Sequence, residues 1–153
     1  MSPKYKVILA SFVVSTLLMI TKFIAYYMTY SSAILTDALE SIINVVASGF
    51  AFYAIYLASQ PKDLNHPYGH GKIEFFSAGL EGVLIVLASI FIIFHAVQNF
   101  FNPQPLQDLP LGLGIIISGV IINWILGYYI EKEGIKYQSP TLIADGKHLK
   151  LDA

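Results

Sequence analysis

Four long apolar runs dominate the chain: Val7 to Met28, Ile34 to Ala58, Phe75 to Val97 and Leu111 to Ile130. Each is about 20 to 25 residues long, which a helix rising 1.5 Å per residue needs to cross the hydrocarbon layer of a bilayer. Breakers separate the runs: Thr29 to Ser32, Gln60 to Asp63, Asn102 to Pro105 with Pro110, and Glu131 to Pro140. After Pro140 a fifth apolar, helix-compatible segment opens and is cut off at Ala153. The pattern predicts an all-α membrane protein, a transmembrane helix bundle of four complete spans plus the start of a fifth. The first run is too long for a secretory signal peptide and lacks the small-residue cleavage pattern.

Composition sharpens this picture. Of 153 residues, 56% are apolar and 12% charged, against roughly 25% charged in soluble domains. Nine lysines, no arginine, ten carboxylates and a net charge of -1 leave no basic field for nucleic acid. The absence of cysteine removes disulfides, thiolate nucleophiles and thiolate metal sites together. Any metal must be held by His, Asp, Glu, Asn or backbone oxygen. Lysine placement sets the orientation, because positive flanks stay cytoplasmic. Lys4 and Lys6 precede the first span, Lys62 and Lys72 lie between the second and third, and Lys132 and Lys136 follow the fourth. An integral, multi-pass protein of the cell (inner) membrane with a cytoplasmic N-terminus is expected. Tyr26, Tyr27, Tyr30, Tyr128 and Tyr129 near span ends suit the headgroup layer.

The chemistry sits where lipid should be. Asp37, Glu40 and Asn44 recur at spacings of three and four, on one face of the second span. A carboxylate in hydrocarbon costs about 2.5 to 3.5 kcal/mol, so these groups need a partner or a watery cavity. The fifth segment offers one, since His148 and Asp152 are four apart and share a face. If the two segments touch, Glu40, Asn44, His148 and Asp152 make a four-ligand set for a divalent transition ion. Asp37 is a possible further ligand, although capping or bonding a neighbouring helix explains it more simply. An ordinary buried hydrogen bond is the competing account of His148 with Asp152. Asp145 reads the same way as Asp37, as a residue that caps or bonds a neighbouring helix, and near the start of its own helix it also suits the dipole. Lys22 can snorkel or pair with a carboxylate, and Glu81 can answer it or line the pathway. His95 reads as a solvated histidine near a span end, while Asn123 and Trp124 read as glue between helices. Gly79, Gly82, Gly112, Gly114 and Gly119 read as close-packing positions.

Between the second and third spans, Asp63, His66 and His70 fall in a turn that Pro67, Gly69 and Gly71 keep from being helical. Three ligands with an open fourth position fit an exposed, labile entry or regulatory site, against the alternative of a solvated turn with incidental histidines.

The segment SAILTDALESIINVVAS from Ser32 to Ser48, the loop HPYGHGKIE from His66 to Glu74, and SPTLIADGKHLKLDA from Ser139 to Ala153 together resemble the cation diffusion facilitator family of divalent-metal exporters. The resemblance extends over essentially the whole chain. It implies a transmembrane domain of six helices, a homodimer, a cytoplasmic ferredoxin-like C-terminal domain, and export of metal from the cytosol by proton antiport. On that basis residues 1–153 are expected to be a truncated cation-efflux transmembrane domain without helix six or the cytoplasmic domain. The family's transport site falls on Glu40, Asn44, His148 and Asp152, and its loop site on Asp63, His66 and His70. In the family the helix-two pair is usually Asp or His followed four residues on by Asp, whereas this chain has Glu40 and Asn44. Zinc is the expected cargo, with iron(II), manganese(II) or cobalt(II) also compatible with an oxygen-rich set. The metal is substrate, and no permanently bound cofactor is expected; the expected partners are the ion, protons, lipid and a second copy. An intramembrane metallohydrolase would be expected to show H-E-x-x-H or a comparable base, which the chain lacks. A membrane metal sensor that does not transport is the other alternative.

Overall fold

A computed structural model describes residues 3–61, 69–101 and 109–153. They form five helices: α1 (Pro3–Thr29), α2 (Ser32–Ala58), α3 (Lys72–Phe101), α4 (Leu109–Lys136) and α5 (Pro140–Leu151). Among the described residues, α1 to α4 are long and apolar enough to cross a membrane, and α5 is the short fifth segment. This is the predicted all-α bundle, with each helix running a few residues past its apolar run. Hydrogen bonding continues through the polar ends, since the helix ladder satisfies every backbone group lipid would leave bare.

Two tight turns pair the helices. Between α1 and α2, Tyr30 adopts φ 49° and its N–H donates to the Tyr26 carbonyl at 2.7 Å. Between α4 and α5, Gln138 adopts φ 51° and the Ser139 N–H donates to the Gly134 carbonyl at 2.9 Å. Both are left-handed exits that close the last carbonyls of the preceding helix. The Ser139 hydroxyl then accepts from the Leu142 N–H at 3.5 Å and Pro140 opens α5, a combination that removes two of the donors a helix start leaves unsatisfied.

The most extensive packing is α4 on α5 and α1 on α2, and α5 also touches α2 and α3. Val7, Ile8, Ala51, Ile55, Ile130, Leu142 and Leu149 form the apolar core that α1, α2, α4 and α5 share. At one end of the bundle Glu74 ties three helices: it accepts from Lys4 Nζ at 3.1 Å and from the Ser139 hydroxyl, and its backbone carbonyl accepts from Thr141 Oγ1 at 3.0 Å. Outward-facing side chains such as Leu17, Ile90 and Phe94 are exposed, as a lipid-facing surface requires.

The close-packing glycines are not those expected from sequence. Nothing lies within 4 Å of a Cβ built on Gly79, Gly82 or Gly114, and Gly119 meets only Lys22 Cε at 3.5 Å. The tight contact is between α4 and α5, where a Cβ on Gly127 would stand 2.7 Å from the Gly146 carbonyl oxygen, and one on Gly134 would stand 2.8 Å from the Ile143 nitrogen. Small residues let two backbones approach only on the faces that meet, and the first three glycines point outward. Trp124 is likewise exposed and stacks on Tyr128 of its own helix instead of gluing α4 to a neighbour.

Candidate metal-transport site

The acidic face of α2 meets α5. His148 is buried, with Nε2 3.4 Å from Asp152 Oδ2, as their spacing one helical turn apart requires. α2 packs on α5 across this interface, where Asn44 faces Asp152 and Glu40 lies within electrostatic reach of Asp152, Asp37, Lys22 and His148. The structure therefore brings Glu40, Asn44, His148 and Asp152 to one place between two helices. Asn44 Oδ1 and Asp152 Oδ2 are buried and have no hydrogen-bond partner among the described residues. Oxygens in that condition carry the full cost of lost hydration, which an incoming cation would relieve. Among the described residues no three His, Asp or Glu side chains already close round one point; the four groups stand side by side.

Asp37, one turn before Glu40, accepts from Lys22 Nζ of α1 at 2.7 Å. Lys22 is buried, so the pair is the neutralisation that an intramembrane ammonium and carboxylate both need. Asp37 is thus a salt-bridge residue whose second oxygen, Oδ2, is unpartnered among the described residues. A crevice one turn along is lined by Ser15, Leu18, Ser41, Asn44 and Asn123, which places the buried Asn123 at the flank of the site.

Residues 8–153 match the family described as the cation efflux transmembrane domain. The chain belongs to the cation diffusion facilitator family. It is 39% identical over 128 residues to an uncharacterised transporter of Synechocystis, covering 84% of this chain and 41% of the relative. It is 28% identical over 144 residues to the cation-efflux pump FieF of Salmonella paratyphi A, covering 94% of this chain and 48% of that pump. The chain thus spans about half the length of the curated relatives it matches. Membership makes this a transporter family and not an enzyme family, so the metallohydrolase alternative falls away.

Two features of this family member, the partner of Glu81 and the part played by Ser11, carry no signal in the sequence. Glu81 of α3 does not pair with Lys22: its Oε1 lies 3.3 Å from His148 Nδ1. Asp145 bonds a neighbouring helix, as expected: it is buried, past the first turn of α5, and accepts from Ser11 Oγ of α1 at 2.6 Å. Ser11 itself carried no signal beyond being a small polar residue inside an apolar run. The rotation of α1 and α3 about their axes decides these pairings, and periodicity does not report it. Of the loop trio, His70 is half-buried just ahead of α3, where its carbonyl accepts from the Ile73 N–H at 3.1 Å; Asp63 and His66 lie outside the described residues. His95, half-buried, lies 3.4 Å from the Asn99 amide nitrogen and 5.7 Å from the Phe91 ring centroid, apart from the candidate site.

Proposed function

We propose that the chain is the ion-translocating part of a secondary transporter that exports a divalent transition-metal cation from the cytosol in exchange for protons. One observation carries the reading: Glu40 and Asn44 of α2 meet His148 and Asp152 of α5 in the interior of a bundle from a cation-efflux family. Three side-chain oxygens and one imidazole nitrogen match the ligand types of a labile divalent site. Zinc is the first expected cargo, and iron(II), manganese(II) and cobalt(II) follow from the oxygen-rich set. Binding requires ionised carboxylates and a neutral His148, so metal and protons compete for the same atoms. Rocking of the bundle would expose the site alternately to either side, and an inward proton gradient would drive export. The absence of a G-x-x-x-x-G-K-[ST] loop fits a transporter that does not burn ATP. Asp63, His66 and His70 serve as an entry or regulatory site at the cytoplasmic mouth, and the working unit is a homodimer in the inner membrane with a cytoplasmic N-terminus.

The test is metal flux in vesicles containing the complete protein and an enclosed metal-sensitive dye. Flux of zinc or another ion of the set, lost in His148→Ala and retained in reduced form in His70→Ala, is the expected result. Tight metal binding with no flux of any ion would leave a membrane metal sensor as the better account.

A further inference from the structure

α3 is the outlier of the bundle. Most of its 30 residues face outward, and only Glu74, Ser77, Glu81 and Ala88 are buried. These lie at intervals of three, four and seven, a single stripe turned toward the rest of the bundle. Glu74 belongs to the tie at the helix end, which leaves Glu81 as a carboxylate buried deep in a span with no lysine for a partner among the described residues. Lys22 is engaged by Asp37, and Asp145 is engaged by Ser11. The donor that Glu81 meets is the imidazole of His148, with Oε1 3.3 Å from Nδ1. The other nitrogen, Nε2, is 3.4 Å from Asp152 Oδ2.

A neutral imidazole has one N–H and one lone pair, and the hydrogen bond at one nitrogen decides which atom the other presents. We propose that Glu81 is a positioning residue for transport: its carboxylate accepts the His148 Nδ1–H, fixes the tautomer and ring plane, and turns the Nε2 lone pair toward Asp152 and Asn44 for the ion. The ring is held by an acid on another helix, so its orientation does not rest on α5 alone. A carboxylate behind a ligating imidazole also makes the ligand nitrogen more basic and spares the ion the cost of ordering the ring. The geometry further couples α3 to the site, since any shift of α3 against α5 changes the hydrogen bond that holds the ligand. This inference rests on His148 being a transport ligand.

The experiment uses the purified complete protein in lipid nanodiscs, 15N-labelled at histidine, titrated with 113Cd2+ as a zinc stand-in. The His148 signals are those that vanish in His148→Ala. The wild type is expected to show Nδ1 protonated and cadmium coupled to Nε2. Glu81→Met, which removes the acceptor, should mix the tautomers and weaken cadmium binding by about 10- to 100-fold. Glu81→Gln, whose amide oxygen can still accept, should recover most of the affinity and the Nδ1–H signature, a rescue that a purely structural role for the charge would not give. Cadmium on Nδ1 in the wild type overturns the proposal even if Glu81→Met does not fold. So does a folded Glu81→Met with wild-type affinity and tautomer, in which case loss of binding in His148→Ala leaves the transport site standing. Cadmium binding indifferent to His148→Ala overturns the transport site and this proposal together.

Discussion

At the residue scale, Glu40 and Asn44 both differ from the pair that the family resemblance implies, and Asn44 is the one that removes a charge. The proposed four-ligand set holds two carboxylates, Glu40 and Asp152, and Asn44→Asp would make three. A charge added beside an ion between helices is a large perturbation, because the interior screens poorly and desolvation opposes the gain. Asn44→Asp is expected to change the ranking of zinc, iron, manganese and cobalt in a flux panel and to move the pH of half-maximal transport. An unchanged ranking and pH profile would remove Asn44 from the ligand set. Lys22 makes a different contribution, since its ammonium neutralises Asp37 at 2.7 Å with only 8% of its side chain exposed and 27% of Asp37's. Removing one partner of a buried pair costs about 3 to 5 kcal/mol, and the partial exposure of Asp37 puts Lys22→Met at the lower end. Thermal unfolding in detergent should show that loss, and Lys22→Met with Asp37→Leu should recover most of it; a double variant as unstable as the single would mean that packing, not charge, is what Lys22 supplies.

At the element scale, the site depends on how closely α5 approaches α4. Gly127 and Gly146 face each other so tightly that a Cβ on either would stand 2.7 Å from the other's carbonyl oxygen. Gly146 lies two residues before His148 on a helix of 12 residues, so pushing α5 away moves the proposed ligand too. Gly146→Ala is expected to lower the unfolding temperature and weaken metal binding together. Gly79→Ala, on the open face of α3, should do neither, and should gain a few tenths of a kcal/mol, up to about 1, from helix propensity. Equal effects of the two substitutions would show that α4 and α5 do not meet through these glycines. The expectation that Gly79, Gly82 and Gly114 pack helices together failed because a glycine inside a span says that a close approach is possible, and not on which side another helix stands.

At the scale of the whole molecule, lysine asymmetry argues for a cytoplasmic N-terminus, an orientation that the bundle makes testable. The chain has no cysteine, so an introduced thiol is unique. Tyr30→Cys, in the turn joining α1 to α2, should label from outside intact cells, and Gln138→Cys, in the turn joining α4 to α5, only after permeabilisation; the reverse would invert the topology. Competition between protons and metal gives a signed pH dependence. Acidifying the side on which metal binds adds protons to the carboxylates and His148, so affinity falls as pH falls. Flux should therefore follow an imposed pH gradient and collapse with a protonophore. Flux that ignores the gradient would point to uniport.

What the sequence by itself determined is whatever a one-dimensional pattern fixes. A run of more than about 20 apolar residues has essentially one structure in lipid, so α1 to α4 were legible with their approximate ends. The pairs Glu40 with Asn44 and His148 with Asp152 were legible as well, because four residues on a helix place two side chains on one face whatever surrounds it. The tertiary structure alone decided which faces met: that Lys22 took Asp37 and left Glu81 to His148, that Asp145 found Ser11 across 134 residues of sequence, and that Gly127 and Gly146, not the glycines of α3, carry the close approach. Each of these depends on the rotation of a helix about its own axis. In a chain this apolar many rotations bury similar area, so the choice falls to a few polar partners and backbone contacts that exist only once the helices are side by side.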